Sequence, residues 1–272
     1  MQKKAVIVQD ISCFGKCSST VALPIVSSFN VECALFPTAL LSAHTGFSNY
    51  SCFDLTKVME TVLSDWSALS LSFDGFFSGY MLSDFQASLA LELLKKLVKK
   101  DALVLVDPVM GDNGKAYAML SESFGEKMRK LVSLADVITP NLTEAALLLK
   151  EEPVLCGYDK SYIEKTLFSL QKLGCKIPMI TGVSFEKNKI GVAFLENKKV
   201  NYVFSKKYEG VSCGTGDTFS SVLFGAMLSG FKTKDAVLKA VHSTERAIEN
   251  GVKDYGIDFE CLLGQEKTNI DG

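Results

Sequence analysis

The chain has 272 residues, 47% hydrophobic and 22% charged, enough for one large α/β domain or two small ones and too apolar for a disordered segment. Its formal net charge of −2 supplies no basic field for a phosphate backbone, so no nucleic-acid partner is expected. The longest apolar stretch, residues 219–231, contains Ser220, Ser221 and Ser229 and is too short for a bilayer, so no membrane partner is expected either.

The eight cysteines include no Cys-x-x-Cys pair, and there are only two histidines, which disfavours a zinc site. Reduced thiols, mostly buried as small hydrophobes, are expected. Lys3 and Lys4 run straight into a strand-like segment with no export signal, so a cytoplasmic location is expected.

In chain order, strands are expected at 5–8, 33–36 and 75–77. A helix through Leu89, Leu93 and Leu97 follows, begun by a capping box of Ser83 and Gln86. Strands at 103–106 and 137–139 come next, then a helix capped by Asn141 with Glu144 at its third position. Another helix is expected to begin at Ser161, with Glu164 three residues on. The remaining strands are 178–181, 191–194 and 200–203, and helices at 218–229 and 235–250 close the chain, the last stopped by Gly251. Runs ending at Val106 and Ile180 are apolar without alternation, as in strands covered on both faces. The alternation of strands and helices specifies βαβ units. The expected architecture is one domain, residues 1–272, with a mostly parallel sheet between two helical layers and ligands at the carboxyl ends of its strands. The lysine-rich stretches around Lys95 to Lys100 and at Lys198-Lys199 are expected to be solvated faces.

The chemistry concentrates in Gly214-Thr215-Gly216-Asp217-Thr218-Phe219. Two glycines leave backbone amides unobstructed just before an apolar helix, which makes an anion site. A carboxylate there competes with the anion unless it is kept to accept a proton from a hydroxyl. The plain alternative, that Asp217 only caps the helix, carries equal weight on the local string.

Gly214-Thr215-Gly216-Asp217 resembles the signature of the ribokinase superfamily. Three further segments match in order. Asp107-Pro108-Val109-Met110-Gly111-Asp112 resembles the Asp-Pro-Val motif of vitamin B6 and hydroxymethylpyrimidine kinases. Thr139-Pro140-Asn141-Leu142-Thr143-Glu144 resembles the superfamily's Asn-x-x-Glu motif, and His44-Thr45-Gly46 the flap of pyridoxal kinases. The resemblance covers nearly the whole chain and implies a three-layer α/β/α sandwich of the ribokinase type. It also implies Asp217 as catalytic base, with Gly214, Thr215 and Gly216 as the anion hole. ATP would be held by Asp107, Asn141, Glu144, Thr181, Gly182 and the anion-hole residues. Mg²⁺ would sit on Asp107 or Glu144, largely through water; K⁺ is a further candidate ion.

Each motif has a plainer reading as a turn, a cap or a strand end. No Gly-x-x-x-x-Gly-Lys-Ser/Thr loop, protein-kinase His-Arg-Asp segment or dinucleotide fingerprint is present. The resemblance implies a ring pocket of Asp10, Ser12, Thr45 and Tyr80, with Asp217 beside it. Asp10-Ile11 replaces the Ser-His of the best-known pyridoxal kinases and is closer to the hydroxymethylpyrimidine kinases. The resemblance therefore implies ATP-dependent phosphorylation of a B6 vitamer, with hydroxymethylpyrimidine as the alternative substrate, by a homodimer. A sugar or nucleoside kinase and a non-catalytic pyridoxal phosphate binder are the competing classes.

Overall fold

The computed structural model describes residues 2–117, 121–210, 213–251 and 256–263. Strand β1 (Lys3–Ser12) leads into helix α1 (Ser19–Ser28), followed by β2 (Val31–Leu41), the short β3 (Cys52–Asp54) and α2 (Thr56–Ala68). Then come β4 (Phe73–Ser78), α3 (Asp84–Leu97) and β5 (Val98–Val106). A hairpin of β6 (Gly111–Asp112) and β7 (Lys115–Ala116) precedes α4 (Glu122–Val132), β8 (Val137–Ile138), α5 (Leu142–Leu149) and α6 (Lys160–Gln171). The chain continues through β9 (Ile177–Val183), β10 (Lys189–Glu196) and β11 (Lys199–Lys206) to α7 (Thr215–Leu228) and α8 (Thr233–Glu249).

Among the described residues, nine strands form one sheet in the order β11-β10-β9-β8-β5-β4-β1-β2-β3. The six central strands, β9 through β2, are parallel; β10 and β11 extend one edge antiparallel, and β3 the other. All eight expected strand segments lie in this sheet, although Thr139 falls just beyond β8.

The absence of polar alternation in the central strands has a direct packing cause. In β1, Val6 and Val8 point into one apolar core while Ala5 and Ile7 point into the other. The same split separates Phe76 from Phe77 in β4, and Val104 and Val106 from Leu105 in β5. Both faces are dry, so both sets of side chains are apolar. The second core is closed by α1, α7 and α8, and the first by the helices from α2 to α6.

Helix α7 lies close on the sheet because Gly75 in β4 leaves room for it. A Cβ there would stand 2.8 Å from Cζ of Phe224. Gly225 in the same helix accommodates Phe29 in the same way, at 2.4 Å.

Three local expectations are corrected. Ser83 does cap α3 by accepting from the Gln86 amide, but the Gln86 side chain does not close a capping box. It is recruited by tertiary structure, accepting from the Leu82 amide and donating to the Thr38 carbonyl. Helix α6 begins earlier than Ser161 suggests, because Asp159 accepts from the Tyr162 amide and caps it. The eight cysteines are unpaired as expected, yet only Cys175 is buried. Cys13, Cys52, Cys156 and Cys213 are exposed, because they lie on loops and an edge strand rather than in the core.

Removing the Phe224 ring, which is fully buried 5.4 Å from the Phe77 ring, leaves a cavity under α7. Phe224→Ala should lower unfolding free energy by about 3–5 kcal/mol in urea titrations.

Candidate active site

The parallel strands deliver the polar residues to one edge of the sheet. Asp10 and Ser12 stand at the end of β1, Gly79 and Tyr80 just past β4, and Asp107 just past β5. Asn141 follows β8, and Thr181 and Gly182 lie near the end of β9. The carboxyl edge of a parallel sheet is where the chain leaves the ladder with free backbone groups, which suits it to ligands.

Asp10 sits at an irregularity. Pairing of β1 with β2 slips between Gln9, opposite Pro37, and Ile11, opposite Leu40. Such bulges re-aim a side chain. Asp10 is buried, accepts 3.3 Å from the Ser12 hydroxyl through Oδ2, and has no partner for Oδ1. Burial pushes its pKa up to about 6; the Ser18 and Ser12 hydroxyls oppose that rise and the charge of Asp217 adds to it. A buried carboxylate with one unsatisfied oxygen is suited to a ligand N–H or O–H.

At the head of α7, Gly214 adopts a left-handed conformation at φ 91°, where a Cβ would lie 2.2 Å from the Lys16 carbonyl. Glycine is thus required on two counts. Among the described residues, no atom lies within 4 Å of a Cβ placed at Gly216, and the same holds for Gly182. Asp217, three residues into the helical sequence, makes no capping bond to its own helix. Its Oδ2 instead accepts from the Ser18 amide at 2.9 Å and the Cys17 thiol at 3.3 Å, both from the loop after β1. The capping alternative is therefore set aside on geometry. Burial raises the Asp217 pKa, and those two donors oppose the rise.

Asp107, also buried, accepts from the Ser220 hydroxyl at 3.0 Å, which in turn lies 3.0 Å from the Thr139 hydroxyl. Ser220 is one turn along α7 from Asp217, so one helix face supports two of the carboxylates. Burial, and then the charge of Asp217, push Asp107 up to about 7. Asn141 and Glu144 form the expected capping box in full. The Asn141 side chain accepts from the Glu144 amide, and Glu144 Oε2 accepts from the Asn141 amide, both at 2.9 Å. The other oxygen of Glu144 accepts from the Met110 amide at 3.3 Å. Asn141 also donates to the Gly111 carbonyl, tying the Asp-Pro-Val loop to α5. Burial and then the neighbouring Asp107 hold Glu144 well above the usual carboxylate range.

On the flap, Thr45 is exposed while His44 is buried, its ring against Gly15 and its Nδ1 accepting from the Gly46 amide. Gly46 approaches Cys213, so the flap touches the anion loop. Tyr80 is half-buried, with its phenol pushed up to about 12 by burial. Nothing in the sequence announced Cys17, Ser18 and Ser220 as supports; only the i, i+3 spacing of Asp217 and Ser220 hinted at a shared face.

The phosphomethylpyrimidine kinase family profile matches residues 72–257, more than half of the chain. The chain belongs to that family. Across the full length, its fold matches a protein of Bacteroides thetaiotaomicron crystallised with pyridoxal. The TM-score is 0.92 and the identity 32%, covering 100% of this chain and 98% of that one. The pyridoxal kinase of Lactobacillus plantarum matches with a TM-score of 0.88 and 29% identity, over 97% and 96% of the two chains. The hydroxymethylpyrimidine/phosphomethylpyrimidine kinase of Haemophilus influenzae is 25% identical over 79% of this chain and 81% of its own length. The expected ribokinase-like α/β sandwich and kinase membership are thereby established. No described helix is long and apolar enough to cross a membrane.

The kinase's buried carboxylates have a consequence for stability. Asp107 carries a folded-state pKa of about 7 against an ordinary value of 3.8, so folding favours its protonated form. Its contribution is complete below pH 3.8 and is lost as pH rises through about 7. Asp107→Asn should therefore raise unfolding free energy at pH 8. The gain should be far smaller at pH 4, as urea titrations at the two pH values will show.

Proposed function

We propose that the chain is an ATP-dependent pyridoxal kinase acting as one catalytic domain, which phosphorylates the 5′-hydroxymethyl group of pyridoxal, pyridoxine or pyridoxamine. The observation that carries this reading is the pairing of Asp217, free of any capping role, with the open cradle at Gly216. A carboxylate beside an anion site is what transfer of a phosphoryl group to a hydroxyl requires. The family match, the likeness to a protein crystallised with pyridoxal and the likeness to a pyridoxal kinase support the substrate class. A Staphylococcus aureus pyridoxal kinase of the same fold, crystallised with AMP-PCP and pyridoxal, supports ATP as the phosphoryl donor.

In this reading, Asp217 accepts the hydroxymethyl proton as its oxygen attacks the γ-phosphorus in line. The amides of Gly214, Thr215 and Gly216 stabilise the charge on the transferring group. Asp107, Asn141, Glu144, Thr181 and Gly182 line the ATP side. Asp10 receives a ring N–H or O–H through its unsatisfied oxygen, with Ser12, Thr45 and Tyr80 completing the ring pocket.

The residues also suit Mg²⁺. Burial and the charge of Asp217 disfavour ionised Asp107, and burial and the charge of Asp107 disfavour ionised Glu144, a cost that a divalent cation relieves. Both Glu144 oxygens already accept amide hydrogens, so Glu144 would hold the ion's water and Asp107 the ion more directly. Bound there, Mg²⁺ would neutralise phosphate charge.

One observation favours a second substrate. A buried carboxylate at Asp10 accepts equally well from the exocyclic amine of hydroxymethylpyrimidine.

ADP release with Mg-ATP should be fastest on a B6 vitamer among pyridoxal, pyridoxine, pyridoxamine and hydroxymethylpyrimidine. A faster rate on the pyrimidine would move the assignment to thiamine precursors, and no substrate-dependent release on any of the four would remove it. Asp217→Asn should lower kcat by about 10² to 10⁴-fold with ATP binding little altered. Asp10→Ala should raise KM for the ring substrate far more than KM for ATP, as steady-state kinetics will show.

A further inference from the structure

The loop after β1 does more than close the pocket. Ser18 is a non-glycine residue held at φ 54° and ψ −132°, and it makes no side-chain cap to α1, the helix it precedes. A left-handed serine is strained, and such strain persists only where the surroundings enforce it. The enforcement comes from both sides. The Ser18 carbonyl accepts from the Val21 and Ala22 amides of α1, and Ser18 bridges back to Ile11 of β1. The Lys16 carbonyl two residues earlier abuts Gly214. What the conformation achieves is to turn the Ser18 amide and the Cys17 thiol onto a single atom, Oδ2 of Asp217, at 2.9 and 3.3 Å. No described residue donates to Oδ1.

We propose that Cys17 is a positioning residue for the catalytic base: its thiol, with the Ser18 amide, fixes Oδ2 of Asp217 and thereby assigns Oδ1 as the oxygen that takes the substrate's proton. The proposal rests on the reading of Asp217 as base. As the substrate O–P bond forms, the substrate O–H bond breaks, the proton passes to Oδ1, and ADP departs with the electrons of the broken P–O bond. A carboxylate able to rotate presents the wrong oxygen or lone pair for much of the time, and misplacement is costly to a proton transfer.

The thiol is suited to a donor's role and to no nucleophilic one. Burial, followed by the charges of Asp217 and Asp10, holds it well above its usual pKa, so it keeps its hydrogen. The Ser18 hydroxyl lies 3.6 Å from the sulfur and completes a short chain of groups from the first loop to α7.

The test compares Cys17→Ala and Cys17→Val, which remove the donor at smaller and similar volume, with Cys17→Ser, which keeps one. Steady-state kinetics on the B6 vitamer that the wild type uses best should show kcat reduced about tenfold in both donor-free variants. That loss corresponds to one hydrogen bond to a charged group. KM for vitamer and for ATP should change little, and Cys17→Ser should recover most of the lost kcat. A residue that merely fills space would give losses that follow volume, with Ser no better than Ala, and that result would overturn the proposal. So would an unchanged kcat in both donor-free variants, or a loss confined to KM. If the wild type itself releases no ADP with any of the substrates, the kinase reading fails first, before any variant is compared, and the role of Cys17 falls with it.

Discussion

Carboxylates crowded at the dry edge of a parallel sheet are the constraint around which the rest of this molecule is arranged. Asp10, Asp107, Glu144 and Asp217 come from different parts of the sequence, and all have raised pKa values because burial disfavours their charges. Burying like charges together is costly unless donors or cations compensate. The fold supplies donors to each: a thiol and an amide to one oxygen of Asp217, an amide to each oxygen of Glu144, the Ser220 hydroxyl to Asp107 and the Ser12 hydroxyl to Asp10. The remaining deficit leaves the group suited to a ligand that brings cations and hydrogen-bond donors.

Packing places those groups. Because both faces of the sheet are covered, the middles of β1, β4 and β5 are apolar, while charged residues (Lys3 and Lys4, Asp74, Lys99 to Asp101) are confined to their entering ends and polar groups return where the strands leave the ladder. Helix α7 carries Asp217 and Ser220 on one face, while Phe224 and Gly225 anchor its later turns against β4 and Phe29. The helix that forms the second core therefore also sets the position of the Asp217 carboxylate. Gly75 and Gly225 permit that approach, and Gly214 permits the turn that opens the helix.

The first loop is tied into the same arrangement. It lies between Asp10 at the end of β1 and Ser18 at the start of α1, and it meets the anion loop through Lys16 and Gly214. The flap reaches the same place through Gly46 and Cys213, held by a neutral His44 that accepts from Gly46. Burial lowers the pKa of that histidine, which favours the neutral form this bond requires. The loop after β1, the segment at His44 to Gly46 and the turn before α7 thus pack against one another.

The sequence by itself determined eight strands of the main sheet, the layer order and the family, because apolar runs without alternation and four motifs in register are local signals, whereas the short edge strand β3 and the β6–β7 hairpin carry no such run. It also determined the Asn141–Glu144 capping box, whose partners are three residues apart. It could not tell whether Asp217 caps its helix, because the partners its carboxylate takes instead, Cys17 and Ser18, lie about two hundred residues away. It misread Gln86, whose side chain satisfies Leu82 and Thr38 rather than its own helix, and it placed the start of α6 at Ser161, where Asp159 competes locally for the cap. The cysteines were expected in the core because free Cys behaves as a small hydrophobe, but loops and edges set their exposure. Only the tertiary structure decided which Asp217 oxygen receives donors from the described residues, since hydrogen-bond partners across a sheet are fixed by packing and not by neighbours in sequence.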